Sequence, residues 1–179
     1  MPAPTISACL IVKNEEALLP RCLDSIRVAV DEIIVVDTGS QDRSVEIAKS
    51  FGAKVYEHPW QGNFSQHRNQ SISFATSNWI LILDADEAVF PEDAPHIRTV
   101  AAETRCDYLF LQCYDMDRNG SVRGVFNQIR LFRNGRGNHY EGRIHNQLRV
   151  AGKGEVTRLR FRHHWYDLSP EKMEEKARR

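Results

Sequence analysis

Short apolar runs alternate with helix-like stretches through roughly the first two thirds of this 179-residue chain, and that alternation restricts the fold more than any other feature. Ile6 to Val12, Glu32 to Val36, Ala53 to Glu57 and Trp79 to Leu83 read as buried strands, with a fifth over Asp107 to Tyr114. Between them Pro20 opens a helix whose inner side carries Cys22, Leu23 and Ile26. Asp42 is placed to cap a helix over Arg43 to Phe51, which Gly52 stops. Ser65 is placed to cap a third helix reaching about Ala75, and Pro91 to start a fourth. Strands that are apolar throughout, separated by helices, predict an α/β fold: a mostly parallel sheet with helices on both faces.

The pattern changes after Asp117. Val125 to Phe132, Arg143 to Val150 and Val156 to His163 alternate apolar and polar residues, as edge or antiparallel strands joined by Gly-rich turns do. From Arg118 to His164 there are eleven Lys and Arg against two Glu, although the whole chain has a formal net charge of zero. Such a segment attracts anions or forms the solvated face of the strands. No helix-turn-helix, zinc-finger or aromatic RNA-binding signature accompanies it, so a nucleic-acid polymer is not expected as partner.

No apolar run approaches the roughly 20 residues of a transmembrane helix. The start, Met1-Pro2-Ala3-Pro4, lacks the features of a signal peptide. Cys9, Cys22, Cys106 and Cys113 have no metal-type spacing, which suits a reduced, cytoplasmic setting. Attachment to the inner face of a membrane is compatible with it. Ser169-Pro170-Glu171 begins like a helix that ends abruptly in charge at Arg179, which suggests truncation and a further C-terminal domain.

Open parallel sheets bind ligands at the carboxyl ends of their strands. Three polar clusters fall there: Lys13-Asn14-Glu15-Glu16, Asp37-Thr38-Gly39-Ser40 and Asp84-Ala85-Asp86-Glu87. In a strand, residues i and i+2 share a face, so Asp84 and Asp86 point their carboxylates to one side. Paired hard oxygen donors suit Mg2+ or Mn2+. The other explanation is a polar exit from the strand. A second D-x-D, Asp115-Met116-Asp117, runs into Arg118-Asn119-Gly120 and reads as turn chemistry. Asp37, at a strand tip, is placed to accept from a base N–H or a ribose hydroxyl.

The chain resembles glycosyltransferase family 2, inverting enzymes with the Rossmann-like GT-A fold. The resemblance rests on ISACLIVKNEE (6–16), DEIIVVDTGSQD (31–42), FSQHRN (64–69) and WILILDADE (79–87). FNQIRLFRN (126–134), YEGRIHNQL (140–148) and HHWY (163–166) fit one bacterial branch. It implies a GT-A domain over residues 1–168, with a nucleotide-binding half (1–117) and an acceptor half (118–168), the latter smaller and antiparallel. It implies that Asp37 and the loop after it, with Thr38, hold the nucleoside, and that Lys13, Asn14 and Glu15 belong to the nucleotide-donor site. Arg68 and Asn69 would support base or diphosphate, and Asp84-Ala85-Asp86 would carry the metal. Thr38 stands where the family usually has a second Asp. Asn146 stands where the branch has Glu.

The implied reaction moves a sugar from a nucleotide-diphosphate donor, UDP-sugar favoured, to a saccharide, lipid-linked or protein hydroxyl, with inversion. Arg130 or Arg133 would add positive charge. With Asn at 146, Glu141 is the candidate general base and Asp167 the next; the other reading of Glu141 is a salt bridge to an Arg such as Arg143. His145 and His164 are candidate third metal ligands, and Trp60 and Trp165 candidate cleft walls. The alternatives are a glycoside hydrolase, a non-catalytic nucleotide-binding module and a nucleotidyltransferase. A hydrolase needs carboxylates flanking the substrate, and Asp84 and Asp86 are too close in sequence for that. A nucleotidyltransferase would want a basic phosphate loop where Glu15 and Glu16 stand.

Overall fold

The computed structural model describes residues 3–117 and 119–164. β1 (Ile6–Val12) runs parallel between β2 (Glu32–Asp37) and β4 (Trp79–Ile82), and β3 (Lys54–Glu57) flanks β2 in the same direction. Beyond β4 the sheet continues through β7 (Val122–Arg133), β6 (Tyr108–Met116), β10 (Gly154–His163) and β5 (Glu87–Val89). β7 is antiparallel to both neighbours, β10 is parallel to β6, and β5 is antiparallel to β10. A separate hairpin pairs β8 (His139–Glu141) with β9 (Gln147–Arg149).

Both faces of the sheet are covered, which is why its central strands are apolar throughout. Ala8, Leu10 and Val12 face α1 (Leu19–Ile26), α2 (Ser44–Ser50) and α4 (Ile97–Glu103), contributed through Leu23, Ala48 and Ile97 among others. Cys9, Ile34, Ile80 and Phe132 face the other way. There Ile72 of α3 (Phe64–Ser73) and Tyr140 and Leu148 of the hairpin cover them. No described helix is long and apolar enough to cross a membrane.

The α/β fold with parallel strands and helices on both faces is as the sequence predicts, and local details differ. β10 is an inner strand, with β5 outside it, and β5 is too short to register as a separate run. The strand expected over Arg143 to Val150 is broken: residues 142–146 form a turn, with Gly142 at φ 89°, and only Gln147–Arg149 pairs. Asn63, not Ser65, caps α3 by accepting from the Gln66 N–H at 3.2 Å. Ser65 Oγ instead donates to the Gly142 carbonyl. Pro91 lies in a turn; a 3-10 turn at Ala94–His96 precedes α4. The helix start expected at Ser169 and the residues Trp165 and Asp167 lie outside the described residues.

Glu32 ties three segments together at the opposite edge. Its carboxylate accepts from Ser7 Oγ on β1, from Lys54 Nζ on β3 at 2.9 Å, and from the Thr76 N–H at 2.6 Å. Burial works against its charge, but the hydrogen bonds from Ser7, Thr76 and Lys54 win and hold its pKa at about 2, below the ordinary 4.5. A carboxyl depressed by folding stabilises above its unfolded pKa, and that stability is lost as pH falls through the folded value. Glu32→Gln should therefore lower the urea midpoint at pH 7 and flatten its decline between about pH 4.5 and 2. A pH profile parallel to that of the native protein would reject this role.

Candidate active site

Because β1, β2 and β4 are parallel, their carboxyl ends emerge along one edge, and three loops meet there. The first two are stitched together. Asn14, at φ 55°, accepts from the Gln41 N–H at 2.7 Å, and its own N–H donates to Ser40 Oγ. The Glu15 N–H donates to Ser44 Oγ at 2.7 Å. Asp37 is 4% exposed, and its Oδ2 accepts from the N–H groups of Gly39 and Ser40, both at 3.0 Å. That turn needs Gly39 at φ 105°, a conformation side chains resist. Asp37 Oδ1 is buried and meets no hydrogen-bond partner among the described residues.

The third loop closes on itself: the Asp84 N–H donates to Glu87 Oε2 and the Glu87 N–H to the Asp84 carbonyl, each at 2.9 Å. Two buried guanidinium groups then meet its acids. Arg68 of α3 donates to Asp84 Oδ1 at 2.7 Å, and Arg130 of β7 bonds Glu87 Oε1 and Gln128 Oε1. Burial works against the Arg68 charge, but Asp84 outweighs it and holds the guanidinium above its ordinary pKa. Burial pushes the Glu87 carboxyl up, opposed by Arg130 and assisted by Asp84. A buried charge without a partner would be far more costly than these pairs.

A cleft of about 670 Å3 opens along this edge. Of the residues expected at the site, Lys13, Glu15, Thr38, Arg68, Asp84, Ala85, Asp86 and Arg130 line it, as does Trp60. Asn14 and Asp37 instead build the loops behind it. Asn69 is turned to another job. Its side chain donates to the Tyr140 carbonyl at 3.0 Å and accepts from the Tyr140 N–H at 2.7 Å, pinning β8 to α3.

Four expectations need correction. Glu141 does not line the cleft: its side chain is 51% exposed in the hairpin, bonded to Arg149 Nε at 2.9 Å and His139 Nε2 at 3.2 Å. These bonds, that from Arg149 first, hold its carboxyl below the ordinary range, the reverse of what a base requires. The salt-bridge reading fits it, with Arg149 in place of Arg143. His145 is exposed in the 142–146 turn and is not among the residues lining the cleft. His164 touches the loop after β4 through its backbone, the N–H donating to the Asp86 carbonyl at 2.9 Å. The ring that lines the cleft is that of His163, the last residue of β10. Asp115 is a cleft residue that bonds His163 Nδ1 at 3.1 Å; the turn chemistry belongs to Asp117, which accepts from the Asn119 and Ser121 N–H groups.

Gln128, Asp115 and His163 are polar cleft residues to which the sequence reading gives no site role, and Glu87 enters it only as part of the polar cluster after β4. Glu87 and His163 lie within the family-like stretches WILILDADE and HHWY. Asp115 was masked by the Asn-Gly turn that follows it, and for Gln128 the sequence carries no separate signal.

The sequence profile described as glycosyl transferase family 2 matches residues 7–163. The chain belongs to that family. It is 50% identical over 94 residues to a TPR repeat-containing protein of Synechococcus elongatus, covering 52% of this chain and 23% of that protein. It is 29% identical over 186 residues to the SPbeta prophage-derived glycosyltransferase SunS of Bacillus subtilis, covering 98% of this chain and 43% of SunS. The chain thus spans less than half the length of either relative. Among solved structures, S. aureus TarS residues 1–349 in complex with UDP-GlcNAc superposes with a TM-score of 0.58 at 20% identity, over 66% of this chain and 38% of that one. Glucosyl-3-phosphoglycerate synthase from Mycobacterium tuberculosis, in complex with Mn2+, UDP and glucosyl-3-phosphoglycerate, gives 0.51 at 23% identity, over 65% and 46%. These likenesses place the fold among the GT-A glycosyltransferases.

Two substitutions separate supporting residues from reacting ones. Asn69→Ala should cost about 1–3 kcal/mol of stability through the two lost bonds to Tyr140, with nucleotide affinity in the folded protein changed little. Glu141→Gln should keep any transfer rate within a few-fold, as loss of an exposed ion pair does. A 100-fold fall in turnover with intact donor affinity would return Glu141 to the chemistry.

Proposed function

We propose that this chain is the catalytic domain of a metal-assisted, inverting glycosyltransferase that moves a sugar from a nucleotide-diphosphate donor to an acceptor hydroxyl. The observation that carries the reading is the pair Asp84 and Asp86, facing one cleft with Lys13, Arg68 and Arg130. Carboxylates beside cations suit a ligand that is itself a metal-bound polyanion. The TarS and glucosyl-3-phosphoglycerate synthase structures, which hold UDP-GlcNAc and Mn2+ with UDP, support a uridine donor by analogy of fold. The acceptor would be a saccharide, a lipid-linked molecule or a protein, and the greater length of the relatives supports a further domain.

The donor set fits a hard divalent cation. Asp84 and Asp86 supply carboxylate oxygens, and His163 Nε2 lies 3.9 Å from Asp86 Oδ2. Asp115, bonded to His163 Nδ1, fixes which ring nitrogen faces the cleft. Among the described residues no three such side chains make a ready-made metal cluster. Mg2+ and its like are commonly bound by one or two carboxylates with substrate phosphates completing the shell. Mn2+ or Mg2+, when bound, would neutralise the charge that builds on the leaving diphosphate. Arg68 and Arg130 would hold the diphosphate as the acceptor oxygen approaches the anomeric carbon from the opposite face.

Asp84→Asn and Asp86→Asn should each weaken Mn2+-dependent UDP binding by at least about 10-fold, the loss of one charged contact, without unfolding the domain. Asp117→Asn, altered only in the hairpin turn, should bind as the native protein does. Calorimetry is the measurement, and unchanged affinity in both cleft variants rejects the metal role. ADP binding as tightly as UDP rejects the uridine preference.

A further inference from the structure

We propose that Trp60 is the surface on which the base of the donor nucleotide stacks. The inference rests on the donor reading above and adds a recognition element. The Trp60 N–H donates to the Thr38 carbonyl at 3.1 Å, and the His58 N–H to the Asp37 carbonyl at 2.8 Å. These bonds clamp the segment after β3 onto the tip of β2. Trp60 lines the cleft at that end, while Asp84 and Asp86 line it at the tip of β4.

The strand order β2-β1-β4 separates the two ends by two strand spacings, roughly 10 Å. An extended nucleoside diphosphate has comparable reach from base to terminal phosphate. With the diphosphate at the Asp84 and Arg68 end, the base falls at Trp60. The transferred sugar, bonded to the far phosphate, falls away from it. Behind the same end, one residue from Thr38, the buried Asp37 Oδ1 meets no hydrogen-bond partner among the described residues.

The indole is held in place before any ligand arrives. His67 stacks against it with centroids 5.2 Å apart, and Phe64 meets it edge-on at 4.7 Å. The His67 ring is itself fixed, accepting from the Gln61 N–H at Nε2 and bonding Gln70 Oε1 at Nδ1. A flat ring fixed from behind loses little freedom when a base covers it, so more of the stacking energy appears as affinity.

The test is calorimetry with Mn2+ on the full chain, native, Trp60→Phe and Trp60→Leu, using UDP, pyrophosphate and UDP-glucose. Both substitutions fill much of the indole's space, and matching melting temperatures confirm that the variants fold. Trp60→Leu should weaken UDP on the order of 10-fold, as removal of a base-stacking aromatic does. Pyrophosphate should bind unchanged, and Trp60→Phe should restore UDP to within about threefold of native. Equal losses for UDP and pyrophosphate would make Trp60 structural and overturn the proposal. A loss confined to UDP-glucose, or none for UDP, would also overturn it. If the native protein binds none of the three, the donor reading itself fails, an outcome distinct from the others.

Discussion

β1 is hydrogen-bonded to a parallel partner on each side, and the cleft depends on that double pairing. Cys9 is opposite Ile34 on one flank and Ile82 on the other, so β1 can neither slip nor turn over without exposing both faces. Parallel strands need crossover connections, and these place α1, α2 and α3 around the sheet. They also send the chain out of β1, β2 and β4 at the same edge. The three polar loops are neighbours because the strands beneath them are, although Asn14 and Asp84 are far apart in sequence. Asn14, Ser40 and Asp37 then use their side chains to fasten one loop to the next, which fixes the positions of Lys13 and Thr38 at the cleft.

The third loop concentrates charge. Asp84, Asp86 and Glu87 fall within four residues, with Asp86 and Glu87 nearly buried, and Arg68 and Arg130 arrive from distant elements to meet them. This arrangement holds only because each guanidinium has a carboxylate partner. The match is incomplete in a consistent way. Arg68 Nε and Arg130 Nε are both buried with no hydrogen-bond partner among the described residues. Buried donors of this kind are costly, so a site that keeps two of them beside a cleft is suited to an anion with several oxygens. The same loop offers carboxylates to a cation. Both demands are met at once by a metal diphosphate, which is why the charges support a donor site better than a set of structural ion pairs alone.

The parallel half was legible because its signal is local. Apolar runs such as Ile33-Ile34-Val35-Val36 leave few alternatives, and polar residues at their ends stand out. The D-x-D was found for a reason the structure replaces: β4 ends at Ile82, so Asp84 and Asp86 share a turn, not a strand face. The turn still presents both to the cleft, through the reciprocal bonds between Asp84 and Glu87. The second half was harder because its roles are set by register. Whether His163 or His164 lines the cleft depends on which residues of β5 and β6 lie beside β10, a non-local fact. Asp115 likewise belongs to the cleft because β6 and β10 pair there. Glu141 looked available in sequence because Arg149, on β9, meets it only when the hairpin closes.

The basic character of residues 118–164 shows how charge along the chain and charge in space can diverge. Read linearly, the segment is an anion attractor. In the fold its strands lie against acidic and electron-rich groups, many of them from the first half. Arg160 pairs with Asp93 and Glu92, Arg136 lies near Asp107, and Arg149 pairs with Glu141. Arg133 covers the Trp79 ring and donates to the carbonyls of Cys106 and Thr104. Arg162 lies over Phe90. Of these arginines Arg130 lines the cleft, and it does so bonded to Glu87. Arg130, Arg133, Arg136, Arg160 and Arg162 thus fasten the second half of the sheet to the first. Long-range attraction of anions falls off when charges are paired at contact distance, so the field at the cleft is set by a few buried groups and not by the segment's total. The donor would be held by Arg68, Arg130 and Lys13 at short range, where geometry and not net charge decides what binds.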